Sequence, residues 1–208
     1  MIVGALLGEG STDRALLPIL RWAVGQNAAI DVRIEWIDSE CLSSGRTVKD
    51  KVDAALRVQP CDVIFVHRDS DSQPPEWRYR EIAEAVGSVP FVAVVPIRMT
   101  EVWLLADEGA IRAAAGCVSG RMDLGLPKLS QLENVSDPKS VLRDALVRAS
   151  GKTGHRAQRF SPAAALYRLA DLIEDWSVLR QLSAFCRLEE DIRRVFSQRD
   201  PQVPSPAR

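Results

Sequence analysis

"IVGALLGEGSTDRALLPIL", residues 2 to 20, joins an unbroken apolar run to a Glu-Gly break and then to apolar residues at helical spacing. A run of strand length without polar alternation fits a strand buried on both faces, as in a parallel sheet. Leu16, Leu17, Ile19, Leu20, Ala23 and Val24 then share a helical face, with Pro18 tolerated near the first turns. A buried strand, a polar turn and a helix begin a β-α-β unit. That unit alone does not explain the carboxylate of Glu9 at the strand tip.

The same alternation continues downstream. "IDVRIEWI" (30 to 37) alternates apolar and polar and reads as a strand nearer an edge. "TVKDKVDAALRV" (47 to 58) is an amphipathic helix, and "CDVIFVH" (61 to 67) a third strand rich in β-branched and aromatic residues. "EWRYREIAEAVG" (76 to 87) is a helix entered through Pro74 and Pro75 and closed by Gly87. "PFVAVVPI" (90 to 97) is a fourth strand, and "TEVWLLADEGAIRAAAG" (100 to 116) reads as one helix. The order predicts an α/β fold, a doubly wound, mostly parallel four-stranded sheet with right-handed crossovers. Strand order stays open.

Past Gly116 the texture becomes loop-like, and helical patterns return at 139–149, 162–175 and 187–197 without a convincing strand. Residues 1–116 are therefore expected to form the α/β domain, and 117–200 a helical C-terminal part packed on it. Residues 201–208 are expected to be a disordered tail.

Composition narrows the function classes. The chain has 208 residues, 46% hydrophobic and 26% charged, with 27 basic and 28 acidic side chains for a net charge of -1. Nothing global advertises nucleic acid, so any such surface must be local. Cys41, Cys61, Cys117 and Cys186 lack zinc-knuckle or CxxC spacing and read as small core residues. The N-terminus has no basic leader, and no segment is long enough to span a bilayer, so a reducing cytoplasm is expected and no membrane partner.

Acids follow three of the four strands: Glu9 and Asp13, then Asp69 and Asp71 in "HRDSDS", then Glu101 and Asp107. In an open α/β sheet, sites form beyond the carboxyl ends of the strands, so these acids point to one rim. Asp69 and Asp71 sit at i and i+2, which in an extended segment places both carboxylates on one side. Crowded carboxylates repel, and a divalent cation removes that penalty. Asp13 and Asp107 read as structural acids near helix starts. Glu9, Asp69 and Asp71 read as functional.

These residues carry a family resemblance. "EGSTDRALL" resembles the first motif of Toprim domains, and "VIFVHRDSD" their later DxD motif. "PIRMTEVWLLAD", with "SDPKSVL" and "LSAFCRLEEDI", resembles a family of small bacterial Toprim-like proteins, domain of unknown function 4276. The resemblance covers the chain to about residue 195. It implies a Toprim/Rossmann-like fold and a magnesium- or manganese-dependent phosphodiesterase, a nuclease acting on DNA or RNA. It implies Glu9 as general acid or base and metal ligand, Asp69 and Asp71 as catalytic metal ligands, and Glu101 as a further ligand. It also implies an ATPase partner protein and a place in phage defence. The chain departs from the pattern in "DSDSQP", where many Toprim domains continue to a glycine. With Tyr79 and Tyr167 its only tyrosines and no ATPase or primase domain attached, strand passage and primer synthesis are not expected.

Other features are candidates for substrate binding. The "GEGS" turn, with Gly10 and Ser11, could cradle a phosphate through backbone N–H groups. Arg68 could stabilise transition-state charge, and His67 could relay a proton or simply end a buried strand. Arg148, Lys152, Arg156, Arg159 and Arg168 form a local basic patch around His155, with Phe160 a candidate for base stacking. "SGKTG" is not a P-loop, because Leu146 stands where the first glycine is required and a helix precedes it. Trp22, Trp36, Trp77, Trp103 and Trp176 read as core, with Trp103 packing the helix of Glu101 onto the sheet. Two other readings compete: a catalytically silent Toprim-like binding or regulatory module, and a small-molecule phosphohydrolase using Asp69 as nucleophile.

Overall fold

The computed structural model describes residues 1–37, 47–155 and 159–197. The expected tail at 201–208, Cys41 and Arg156 lie outside the described residues.

Four parallel strands, β1 (Ile2–Leu7), β2 (Val32–Ile37), β3 (Val63–His67) and β4 (Phe91–Val94), form one sheet in the order β2-β1-β3-β4. The chain winds outward from β1 to β2, then crosses back to lay β3 on the other side of β1. The topological switch point thus lies between β1 and β3. The register keeps the carboxyl ends nearly level, with Leu7 opposite both Ile37 and Val66, and His67 opposite Val94.

Side chains alternate between two cores, as the pleat requires. Ala5, Leu7, Ile64, Val66 and Ala93 face α2 (Val48–Val58) and α3 (Pro75–Val86). Leu6, Ile34, Phe65, Val92 and Val94 face the larger core. That core is closed by α1 (Leu16–Asn27), α4 (Glu101–Leu104), α5 (Glu108–Ala114), α6 (Pro138–Ala149), α7 (Pro162–Leu172) and α8 (Ser183–Ser197). The C-terminal helices therefore cover one face of the sheet. α8 packs on β4 and α1, and its buried Glu189 accepts from Asn27 Nδ2 (2.9 Å) at the end of α1.

Several boundaries differ from the sequence reading, each for a local reason. The helix expected over 100–116 breaks, because Asp107 caps α5 by accepting from the Ala110 N–H at 2.9 Å. A 3-10 helix over Ser11–Ala15 precedes α1. β4 ends at Val94, two residues before Pro96, which has no N–H for a ladder. α8 begins at Ser183, earlier than the pattern suggests. Trp77 is not core: it is 68% exposed on α3. Among the described residues, Cys61, Cys117 and Cys186 are free thiols, and no helix is long and apolar enough to cross a membrane.

Candidate metal centre at the carboxyl edge

The tip of β1 is shaped by Gly8. A Cβ there would lie 2.7 Å from Trp36 Cη2 and 2.8 Å from Asp13 Cβ, so only glycine lets both side chains close over the strand end. Asp13, buried, accepts from the Glu9 N–H (2.7 Å) and the Gly10 N–H (3.1 Å) through Oδ2. This carboxylate holds the turn, as expected of a structural acid, and leaves the Glu9 side chain over the edge of the sheet. It also engages the backbone donors that a phosphate cradle at "GEGS" needs. The Glu9 and Gly10 amides are therefore not free for such a role.

His67 ends β3 and is 1% exposed. Its Nδ1 lies 3.0 Å from the Val94 carbonyl, which can only accept, so Nδ1 carries the proton. Nε2 is thereby turned into the acidic edge, 3.3 Å from Thr100 Oγ1, 3.4 Å from Asp69 Oδ1 and 3.7 Å from Asp13 Oδ2. A ring fixed by one nitrogen and presenting the other is the usual arrangement of a metal-binding histidine. Asp69 is fixed as well. Its Oδ1 accepts from the Thr100 N–H (3.0 Å), and its own N–H donates to Glu9 Oε2 (3.3 Å). Ligand atoms of Glu9, His67 and Asp69 all lie within 4.8 Å of one another, across the switch point of the sheet.

Asp71 does not join them. It adopts φ 54°, in the left-handed region, and donates its N–H to the carbonyl of Arg98 (2.9 Å), itself at φ 69°. Ser70, 1% exposed, accepts from the Arg98 N–H (2.8 Å). These bonds strap the loops after β3 and β4 together and keep two non-glycine residues in a disfavoured region, at roughly 1 kcal/mol or more each. Residues i and i+2 share one side only in extended backbone, which Asp71 leaves. The turn instead sends the Asp71 carboxylate to Arg78 of α3, 3.3 Å away.

Glu101 starts α4 and lines a small cleft with Asp13, Asp69, Thr100 and Lys139, outside the tight triad. Arg68 brings Nε within 2.8 Å of Glu9 Oε1, an ion pair by distance without an aligned hydrogen bond. Glu81 of α3 stands between Arg78 (3.0 Å) and Arg68 (3.7 Å). Lys152 and Arg159 are exposed, and neither lines the cleft that holds Asp13, Asp69 and Glu101. Phe160 packs against the large core beneath the Lys152 ammonium (4.8 Å from its ring centre), which covers the face a base would need. His67 in the triad, and Thr100 and Lys139 in the cleft, are the polar residues to which the motif reading gave no ligand role. For His67 the signal was its place one residue before "RD" at a strand end.

Burial raises the Asp69 carboxyl to about 7, and the charges of Asp13, Glu9 and Glu101 add to this against the opposing pull of His67. Between pH 4 and 7 the folded protein thus keeps a proton that the unfolded chain has released, so stability falls as pH rises through that window. Asp69→Asn keeps the acceptor for Thr100 and removes the titration. We expect it to match wild type near pH 4 and to gain on it as pH rises, by about 4 kcal/mol, some 8–16 °C in Tm, at pH 8 in EDTA. A variant no more stable at pH 8 than at pH 5, relative to wild type, contradicts this.

The donor set is one imidazole nitrogen and two carboxylates. It fits a divalent cation. The nitrogen lets first-row transition cations compete with magnesium, which prefers oxygen and water throughout its shell. Comparisons of the chain with protein-family models, with curated proteins and with solved structures gave no match.

Proposed function

We propose that the protein is a magnesium- or manganese-dependent phosphodiesterase of Toprim-like type acting on nucleic acid. The observation that supports it best is the convergence of Glu9, His67 and Asp69 at the switch point between β1 and β3, where open α/β sheets place their ligands. A divalent cation held there supplies a more acidic bound water and neutralises charge developing on phosphorus oxygens. The chain's own residues do the positioning. His67 and Asp69 are locked by Val94 and Thr100, and Glu9 is set by the Asp13-capped turn. Arg68 places positive charge beside Glu9, where an anionic substrate would enter. The ATPase partner and the role in phage defence rest on the family resemblance alone.

The withdrawal of Asp71 towards Arg78 favours a second reading, a Toprim-like binding module that cleaves nothing. Calorimetric titration with manganese, followed by cleavage of a labelled oligonucleotide, tests both. On the phosphodiesterase reading, wild type binds manganese and cleaves. Asp69→Ala weakens the binding at least tenfold, as ligand loss requires. Asp71→Asn changes it less than threefold. Binding without cleavage favours the module. Equal titrations of wild type and Asp69→Ala remove the metal centre.

A further inference from the structure

A cavity of about 550 Å³ opens beside the Glu9 turn, reaching it through Ser11, two residues along the chain. That volume lies in the range of small-ligand sites. Its walls come from the 3-10 helix, α1, β2 and α7. Arg14 and Arg21 stand seven residues apart, close to two helical turns, on one face of the 3-10 helix and α1 that follow the turn. Trp36 comes from the end of β2 and touches the Gly8 position at the tip of β1. Tyr167 and Asp171, four residues apart on α7, complete the lining, with Tyr167 41% exposed.

The chemistry of the lining is specific. Two aromatic rings, one on β2 and one on α7, share the cavity. Arg21 is held by donating to the Ile34 carbonyl (3.1 Å), while Arg14 is exposed and makes no ion pair among the described residues. Two guanidiniums against one carboxylate leave the mouth positive, with Asp171 on the α7 side repelling phosphate towards Arg14 and Arg21. Rings bind bases by their faces, and guanidiniums bind phosphates. In a duplex the faces are stacked away and only base edges are open to the grooves. We propose that this cavity binds an unpaired nucleotide of a single strand. Its base lies against Trp36 and Tyr167, its phosphate lies against Arg14 and Arg21, and the adjoining phosphodiester reaches the Glu9 edge. The inference deepens the phosphodiesterase reading and rests on it for the last of these contacts.

The test is fluorescence anisotropy of the full chain with a labelled 12-nucleotide oligothymidylate, in EDTA so that no cation-dependent cleavage intrudes. Loss of one stacked base is expected to weaken binding about tenfold in Tyr167→Ala, while Tyr167→Phe stays within twofold of wild type. Arg14→Ala is expected to weaken binding several-fold and to flatten the salt dependence by about 0.7 in log–log slope, one phosphate contact on a single strand. The matching duplex is expected to bind at least tenfold more weakly than the single strand. The proposal is overturned by no measurable binding, by Tyr167→Ala equal to wild type, or by duplex equal to single strand. Free thymidine monophosphate competing at the oligonucleotide's own affinity also overturns it, since that marks a mononucleotide site. Manganese binding at Asp69 without Tyr167 dependence removes this proposal alone. Tyr167-dependent strand binding without manganese binding supports the cavity assignment and removes the phosphodiesterase reading instead.

Discussion

Replacing His67 by leucine is expected to weaken manganese binding at least a hundredfold, about 2.7 kcal/mol, measured by calorimetry at pH 7.5. Leucine fills much of the same buried space, so the strand can close over it. What it removes is the one nitrogen donor at the edge and the ring that stands between three oxygens. Nε2 lies within 3.7 Å of Asp13, Asp69 and Thr100 side-chain oxygens, so its loss leaves two buried or half-buried carboxylates facing an apolar group. The effect should exceed that of Asp69→Ala, because Glu9, Asp13 and Glu101 remain to offer oxygen when Asp69 is gone. Nothing else at this edge offers an imidazole among the described residues. Thermal unfolding in EDTA separates the two ways the variant can act. A lost titration with a Tm near that of wild type points to ligation. A lost titration with a collapsed Tm points to a purely structural histidine and removes His67 from the donor set. A magnesium titration run in parallel adds a sign. Magnesium relies least on nitrogen, so its affinity should fall less than that of manganese.

How much of this edge could be read beforehand depends on which contacts set each residue. Glu9 and Asp69 were legible because they follow apolar runs, and a polar group at a buried strand's end is a local signal. The β-α alternation was legible for the same reason. Strand order was not, since β1 pairs with β3 across 59 residues from Gly4 to Val63 and no local pattern encodes that choice. The direction of His67 is set by the carbonyl of Val94, and the left-handed turn at Asp71 by its bond to Arg98. Both partners are 27 residues distant in the chain, which is why an i, i+2 rule placed Asp71 at the metal when the fold gives it to Arg78. The break between α4 and α5 was readable in principle, because "ADEG" offers an aspartate N-cap followed by an acid in the first turn. A stronger apolar period across "WLLADEGAI" masked it. Trp36 and Tyr167 reach one cavity from β2 and α7, and neither had any sign in the sequence beyond being aromatic.

The largest loss of stability should come from Trp103, which ties that edge to the core. It is fully buried on α4, and its ring meets Phe185 of α8 edge-on at 5.7 Å and 88°. Trp103→Ala is expected to cost about 3–5 kcal/mol and to lower Tm by some 6–20 °C, read by thermal unfolding in EDTA. α4 is a single turn, too short to hold itself, so its position comes from packing rather than from helix propensity. Thr100, the residue just before it, carries the N–H that orients Asp69, and the Trp103 N–H donates back to the Thr100 carbonyl at 3.1 Å. The truncation should therefore reach the metal as well, weakening manganese several-fold at a temperature where the variant is still folded. Trp103→Phe discriminates packing from polar contacts. Among the described residues the indole Nε1 meets no acceptor, so phenylalanine removes a buried donor along with part of the ring. It should cost less than half of what alanine costs and leave the titration near wild type. A phenylalanine variant as damaged as the alanine one would mean that a hydrogen bond of the indole N–H, rather than packing, holds α4. An alanine variant within 1 kcal/mol of wild type would mean that α4 is held by its loop straps instead, through Ser70, Arg98 and Asp71.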